Sequence, residues 1–479
     1  MKALNTLFIL SDEHRRDASG CYGHPLVKTP NIDKLASEGT LFESAYTNSP
    51  ICIPARAALQ TGRYVHKTRN WCNGNSYRGQ IEGWGHHLKW AGHEVVSIGK
   101  LHFRSSDDDN GFTEEILPLH VVDGLGDLRS CLRKLRPPRD RLHLMSENIG
   151  AGETDYQRYD RSIANAACEW IRKKAADTSG KPWTLFVSFV CPHFPLIAPE
   201  EFYKMYDPNE VALPKRFGDD GGYRNPAMRG LHEYQNFDEY FDERSTRIAI
   251  ASYYGLVSFV DSLIGQVREA LEDSGLADAT RIIYTSDHGD NLGDNGFWGK
   301  STLYEESAGL PLVMAGPDIP VGKRVSTPTT LVDLAPTFLE FNGESLTDEE
   351  KSELPGTNLL DLANGADPDR VAFSEYHAIG SITGAFMIRY RNWKYIHHVD
   401  YPCQLFDLEA DPEELNDLGE DPGFEATRSM LHGKLLEICD PGEVNRQAFA
   451  DQAARVEANG GIEAVLKRSS IPYTPAPVE

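Results

Sequence analysis

Basic residues are scarce in this 479-residue chain: 48 Lys and Arg stand against 72 Asp and Glu, for a net charge of −24. So acidic a surface repels nucleic-acid phosphates and anionic headgroups, and neither nucleic acid nor membrane is an expected partner. An anionic substrate would need a local basic pocket. Paired cysteines are missing too. The eight, at 21, 52, 72, 131, 168, 191, 403 and 439, include no C-x-x-C and follow no disulfide-rich spacing. Reduced thiols in a cytoplasmic setting fit that usage. No run approaches the ~20 apolar residues that a membrane span needs. The apolar start, Ala3 to Leu10, leads straight into Asp12 with no small-residue cleavage site, so it reads as a first strand. Internal repeats are absent, and Gly460-Gly461 is the only linker-like break in the tail.

What is present is globular material, 40% apolar and 25% charged, enough for one large α/β domain and a smaller one. Thr6 to Leu10 is a β-type run that ends in Ser11-Asp12-Glu13. A helix over Trp84 to Ala91 precedes strand Val95 to Ile98, which delivers Gly99-Lys100-Leu101-His102. A helical pattern from Tyr156 to Ala175, with Ile163, Ala167, Trp170 and Ile171 on one face, precedes strand Thr184 to Val190 and His193. Another, Thr246 to Leu271, precedes strand Arg281 to Thr285 and then Ser286-Asp287-His288. This alternation predicts a mostly parallel sheet flanked by helices. After about residue 365, short runs at Phe386 to Tyr390, Trp393 to His398 and Gln404 to Leu408 predict an antiparallel sheet in a small α+β domain. The expected units are therefore 1–365 and 366–479. Segments 105–150 and 199–243 carry no recognisable motif, and the second reads as an insertion over a site. The basic stretch Arg129 to Arg141 reads as a solvated loop, the alternative being contact with an anionic substrate or a neighbouring subunit. The tail from Asp421 to Glu479 reads as an extended arm around a second subunit, so a homo-oligomer, dimer or tetramer, is expected.

The candidate chemistry begins at residues 47–63, TNSPICIPARAALQTGR. Turn residues present Cys52, Pro54 suits a first helical turn, and Gly62 suits the C-cap. A cysteine at a helix N-terminus sits in a positive field that favours a nucleophile or an anion site. The same pattern also describes a buried structural cysteine. Four polar clusters end predicted strands: Asp12, Lys100 with His102, His193, and Asp287 with His288. Carboxyl ends of strands in open α/β sheets are where ligands bind, so one shared site is expected. Asp12, Asp287 and His288 offer two carboxylates and an imidazole, a donor set for Ca²⁺, Mn²⁺ or another divalent ion. Singly, each is also read as a cap or a turn. Glu13 is left out of this set because its side chain is expected to point away. Lys300, among Phe297, Trp298 and Gly299, suggests a partly enclosed ammonium able to clamp an anion. His102 and His193 titrate in the range useful for acid–base work, and each alone also fits a structural histidine.

The spacing Cys52-Ile53-Pro54-Ala55-Arg56, with Leu59 and Thr61-Gly62-Arg63, resembles the C-x-P-x-R signature of type I sulfatases, in the alkaline phosphatase superfamily. Gly99-Lys100-Leu101-His102 is similar to that family's G-K-x-H element, and His193-Phe194-Pro195 to its H-x-P element. Ser286 to Asp290 with Leu292-Gly293 and Lys300 to Glu305, Thr330 to Gly343, and Leu405 to Leu418 extend the likeness over about residues 4–420. The resemblance implies an alkaline-phosphatase-like fold and conversion of Cys52 to formylglycine by a formylglycine-generating enzyme. It implies that the hydrated aldehyde attacks sulfur or phosphorus while Asp12, Asp287, His288 and residue 52 hold the metal. Arg56 would steady the diol, and Lys100 and Lys300 would bind the transferred group. His193, with Lys300, would serve the leaving oxygen, and His102 would help expel sulfate.

Two departures refine the comparison. Ala55 stands where a Ser is more usual, and the acidic pattern is Asp-Glu then Asp-His. Both look more like the branch containing phosphonate monoester hydrolases and choline sulfatases. Asn73 resembles a substrate-contacting Asn of that branch, and His377 is expected to reach the pocket from the C-terminal domain. The expected activity is hydrolysis of small anionic esters, namely aryl, small alkyl or sugar sulfates. The alternative is a phosphonate monoester hydrolase or phosphodiesterase. An unmodified phosphoryl-transfer enzyme using the Cys52 thiol and a non-catalytic binding protein are the remaining readings.

Overall fold

Successive side chains of a strand point to opposite faces, and in β1 (Asn5–Asp12) both faces are apolar. Leu7 and Ile9 join one core; Phe8 and Leu10 join another. Such a strand belongs in the interior of a covered sheet. The computed structural model describes residues 2–133, 135, 142–176, 181–219, 225–347, 352–468 and 473–477, and it places β1 in the middle of an eight-stranded sheet. The other strands are β2 (Gly39–Phe42), β3 (Glu94–Lys100), β4 (Glu114–Leu119), β5 (Trp183–Pro192), β6 (Thr280–Ser286), β7 (Leu312–Ala315) and β8 (Lys323–Val325). Their order is β8-β2-β7-β6-β1-β5-β3-β4, and β7 alone runs against the rest. The mostly parallel, helix-flanked sheet is as expected.

Helices cover both faces. On one side lie α2 (Asp155–Ala175) and α3 (Glu243–Asp273), whose Ile163, Leu256 and Val260 meet Leu7, Ile9 and Val187. On the other side are α1 (Cys52–Thr61) and α4 (Leu334–Phe341). Here Phe8 lies 4.8 Å from Phe186 and 4.9 Å from Phe338, centroid to centroid. Each fully buried side chain of this kind contributes about 1.5–3 kcal/mol by leaving water. One expectation needs correction: α3 is long and apolar enough to cross a bilayer, with 78% of its most apolar window buried in the fold. Its apolar surface covers the sheet.

The second sheet is antiparallel, as expected from the alternating runs: β9 (Ala372–Tyr376), β10 (Ala385–Tyr390), β11 (Trp393–His398) and β12 (Gln404–Asp407), paired in sequence. The stretch after Asp421 is not an extended arm. It forms α5 (Glu425–Ile438), α6 (Pro441–Glu457) and α7 (Gly461–Lys467), with Leu431 and Leu435 packed on Phe386 and Ile388 of its own chain. Nor are residues 129–133 of the basic stretch a solvated loop; Leu135 is exposed, and residues 134 and 136–141 lie outside the described residues. Arg133 is 1% exposed, donates from Nε to Ser381 O at 3.1 Å and lies 4.2 Å from the Phe449 ring.

Candidate active site

Strand register assembles the site. Leu10 of β1 pairs with Ser188 of β5 and with Thr285 of β6, and Ile98 of β3 pairs with Val187 of β5. The four strands therefore end at one level and release Asp12, His193, Asp287-His288 and Lys100-His102 side by side. A register shift between Leu10 and Asp12 re-aims the last residue of β1, as bulges do next to sites. Helix α1 starts at Cys52 after an extended Ile51, so residue 52 occupies the first turn. Ile53 N–H donates to Asn73 Oδ1 at 3.2 Å.

Cys52 Sγ lies 3.2 Å from His288 Nε2, 3.3 Å from Lys300 Nζ and 3.8 Å from Asp12 Oδ1. Donor atoms of Asp12, Cys52, Asp287 and His288 all fall within 4.8 Å of one another, and all four residues are buried. Two carboxylates, an imidazole and a fourth donor in so small a volume fit a divalent ion. His288 Nδ1 faces the Gly289 carbonyl at 3.0 Å, so it carries the proton and leaves Nε2 as a ligand nitrogen. Lys100 Nζ is 2.6 Å from Asp12 Oδ2. Lys300 Nζ is also 3.1 Å from Glu13 Oε2 and 2.8 Å from His193 Nε2.

Arg56 braces the ligand carboxylates. Its Nη2 reaches Asp12 Oδ2 at 2.9 Å, its Nε reaches Asp287 Oδ2 at 2.8 Å, and Nη1 donates to Lys100 O and Ser188 Oγ. The guanidinium is a fork that sets the spacing of two ligand carboxylates. Lysine cannot reproduce it. Arg56→Lys is therefore expected to lower unfolding free energy by about 3 kcal/mol, the low end for breaking a buried charge pair. Chemical denaturation would show this, and unchanged stability would contradict the brace.

Burial alone would raise the Asp12 carboxyl, but Lys100 and Arg56, with His193 and His288, overcome it and hold Asp12 well below the usual carboxylate range. Burial, helped by Asp12, pushes the Cys52 thiol up to about 12, which disfavours a thiolate. Burial acts against the Lys300 ammonium, yet Cys52, Glu13, Asp12 and Asp287 more than compensate and raise it. His193 and His102 are both held well below the ordinary histidine range, first by burial. Lys300 and Lys100 act further on His193, and Lys100 and Arg56 on His102. Both imidazoles are neutral in this state.

A cavity of about 130 Å³ opens over this cluster, lined by Glu13, Cys52, Asn73, Lys100, His102, His193 and Lys300. Val122, Asp127, Ser130, Met145, Gln235 and Phe237 join them, so both motif-free segments contribute walls. Two residues, His377 and Glu13, stand elsewhere than the sequence indicates. His377 is 1% exposed, bonds Glu375 Oε2 through Nε2 at 2.9 Å and packs on Trp71. It does not line the cavity; Ile379 does. Glu13, expected to point away, points in. Its φ of 70° ends the strand alternation, so its carboxylate shares a side with Asp12 and His193. Burial pushes it up to about 7 against the pull of Lys300. Two further residues line the cavity with no sequence signal, Thr474 and its neighbour Tyr473: Thr474 Oγ1 meets His102 Nε2 at 2.9 Å and Thr474 O accepts from Tyr156 OH at 2.6 Å. Nothing local in the sequence marks that contact.

The family model for sulfatases matches residues 4–343. The chain belongs to the sulfatase family. By that membership this sulfatase is a sulfuric ester hydrolase. The model for the C-terminal part of N-sulphoglucosamine sulphohydrolase matches residues 293–440. Among curated relatives, this sulfatase is 33% identical to the choline-sulfatase of Rhizobium meliloti (strain 1021) over 82% of its own length and 78% of the relative's. It is 30% identical to arylsulfatase K of Danio rerio, over 86% and 80%. Among solved structures, the phosphonate monoester hydrolase of Agrobacterium radiobacter superposes with a TM-score of 0.71 at 25% identity, covering 91% of this chain and 95% of that one. These likenesses fit the alkaline-phosphatase-like architecture and the branch read from the sequence.

Proposed function

We propose that this sulfatase hydrolyses small sulfate monoesters at residue 52, carried as formylglycine, with one divalent ion (Ca²⁺ or Mn²⁺) held by Asp12, Asp287, His288 and residue 52. The observation that carries this reading is the meeting of Cys52, at the first turn of α1, with those three ligands and with Lys300. When bound, the ion supplies positive charge that favours an ionised oxygen on residue 52 and offsets charge on the sulfuryl oxygens. Hydrated formylglycine supplies one hydroxyl to attack and a second whose ionisation later expels sulfate. Cys52, Pro54 and Arg56 are all buried, so a formylglycine-generating enzyme must read them before the chain folds.

The protein's own groups divide the rest. Lys100 and Lys300 are the two ammoniums that line the cavity, placed to bind the tetrahedral anion. His193 Nδ1 faces the Phe194 carbonyl at 2.7 Å and so carries the proton, which leaves Nε2 accepting from Lys300. The ammonium is thus the proton source for the leaving oxygen, and the neutral imidazole holds it in line. His102, neutral and fixed through Nε2 by Thr474, accepts a proton as sulfate departs. Phe194, Phe237, Trp298 and Tyr473 around the rim suit aryl or small apolar alcohols.

Removing residues 469–479 deletes the Thr474 partner of His102. Thr474→Val, which keeps Tyr473 on the rim, is expected to lower kcat/KM for an aryl sulfate about fivefold, the worth of one hydrogen bond, and Thr474→Ser is not. The truncation, which also removes Tyr473, should lose at least as much; wild-type kinetics for Thr474→Val would contradict the role.

Sulfate and phosphonate monoesters both present a singly charged tetrahedral centre, and the phosphonate reading is supported by the Agrobacterium radiobacter likeness. The deciding experiment measures the formylglycine fraction at position 52 by peptide mass, then kcat/KM for an aryl sulfate and an aryl phosphonate monoester on the same preparation. Sulfate preference supports the proposal. Phosphonate preference moves the activity to the second reading, and turnover of neither by modified, metal-replete enzyme overturns both.

A further inference from the structure

We propose that Cys72 and Cys131 form a reversible redox site, a dithiol that a small peroxide converts to a disulfide clamping one wall of the substrate cavity. Cys72 lies in the loop that presents Asn73, and Cys131 ends the short turn Leu128–Cys131. The two backbones meet closely: Asp127 N–H donates to Asn73 O at 2.9 Å. A Cβ at Gly74 would sit 2.6 Å from Asp127 O and 3.0 Å from Cys131 Sγ, and one at Gly126 would sit 2.2 Å from Asn73 O. Side chains at those positions would force the loops apart. Two glycines therefore hold the thiols together, and Sγ to Sγ is 3.5 Å. A disulfide needs about 2.05 Å, so the two sulfurs have about 1.5 Å left to close.

Neither sulfur takes part in the reaction at residue 52. The Cys131 thiol, hydrogen-bonded to Cys72, brings Cys72 down to about 7, while Cys72 and burial raise Cys131. One sulfur is thus the nucleophile and the other the resolving thiol. Both are buried, but Asn73, Gly126, Asp127 and Ser130 line the cavity beside them. A peroxide that enters the cavity reaches that wall. The Cys72 thiolate attacks one peroxide oxygen, the O–O bond breaks, and with one proton taken up a sulfenic acid and water (or an alcohol) result. The Cys131 sulfur then displaces hydroxide from that sulfenic acid, loses its own proton, and leaves the disulfide and a second water. Two electrons pass from the pair to the peroxide. Thiol–disulfide exchange with a reductant restores both thiols. Because Asn73 also accepts from Ile53 N–H, the clamp stiffens the support of the first turn of α1.

The test uses the folded, full-length protein. Hydrogen peroxide is raised until exposed Met430 becomes sulfoxide, free thiols are alkylated, and the digest is read by mass. The expected result is a cross-linked Cys72–Cys131 peptide two hydrogens lighter than its parts, with alkylation of both restored by dithiothreitol. Cys131→Ser should leave Cys72 as a sulfenic or sulfinic acid with no cross-link. If both thiols stay alkylatable once Met430 is oxidised, or if Cys72 pairs with another cysteine, the proposal fails. The assay does not depend on turnover, so it stands apart from the reading of residue 52.

Discussion

Cys52→Ala is expected to lower kcat/KM for an aryl sulfate by about 10⁴-fold or more, the scale on which removing a covalent nucleophile acts. Residue 52 is 1% exposed and surrounded by the groups that would activate its oxygen, so no other side chain can take its place. Alanine also leaves Asp12, Asp287 and His288 intact, and metal-dependent stabilisation should survive in part. That separates loss of chemistry from loss of fold. Cys52→Ser sharpens the argument. A serine hydroxyl can attack but has no second hydroxyl to expel sulfate, so the variant should release one burst of phenol and stall as a sulfated serine. The burst is read optically and the adduct by peptide mass. A Cys52→Ala enzyme with near-normal turnover would sink the proposal and leave a binding protein or a different nucleophile.

Most of this architecture was legible because polar groups interrupt apolar periodicity at strand ends. Asp12, Lys100 and His193 each close a run of β-type residues, and a covered parallel sheet brings such ends together whatever the loops do. What failed to show in the sequence depends on a single backbone angle or on distant contacts. Glu13 follows Asp12, so strand alternation sends it away; only the left-handed φ of 70° returns it to the cavity. His377 follows β9 as the other site residues follow their strands, but Glu375 two residues earlier captures its ring. Thr474 meets His102 across more than 370 positions of chain, beyond any local pattern. The helices of the tail were signalled, since Asp440-Pro441 is a cap followed by a first-turn proline, and Asp440 does accept from Glu443 N–H. Their apolar faces are narrow, which is why the segment resembled an arm.

Lys300→Ala is expected to cost 10²–10³-fold in kcat, about the loss on removing one preorganised donor from a site of developing charge. The geometry makes a finer statement possible. Lys300 Nζ stands between the nucleophile, at 3.3 Å, and His193 Nε2, at 2.8 Å, so it serves attacking and leaving sides together. If it protonates the departing alcohol, the loss must be larger for an alkyl sulfate than for a nitrophenyl sulfate, whose anion leaves unaided. His193→Ala should show the same dependence with a smaller loss, because the imidazole orients the ammonium and does not itself carry the transferred proton. Groups acting as one unit are not additive, so the double variant should be little worse than Lys300→Ala. The sign of the pH dependence follows as well. The Lys300 ammonium is raised above its ordinary value by Cys52, Glu13, Asp12 and Asp287 against the cost of burial, so it stays protonated where free lysine loses its charge. An alkaline fall in wild-type kcat near the pKa of an ordinary lysine, or leaving-group-independent losses in the Lys300 variant, would assign the proton to another residue.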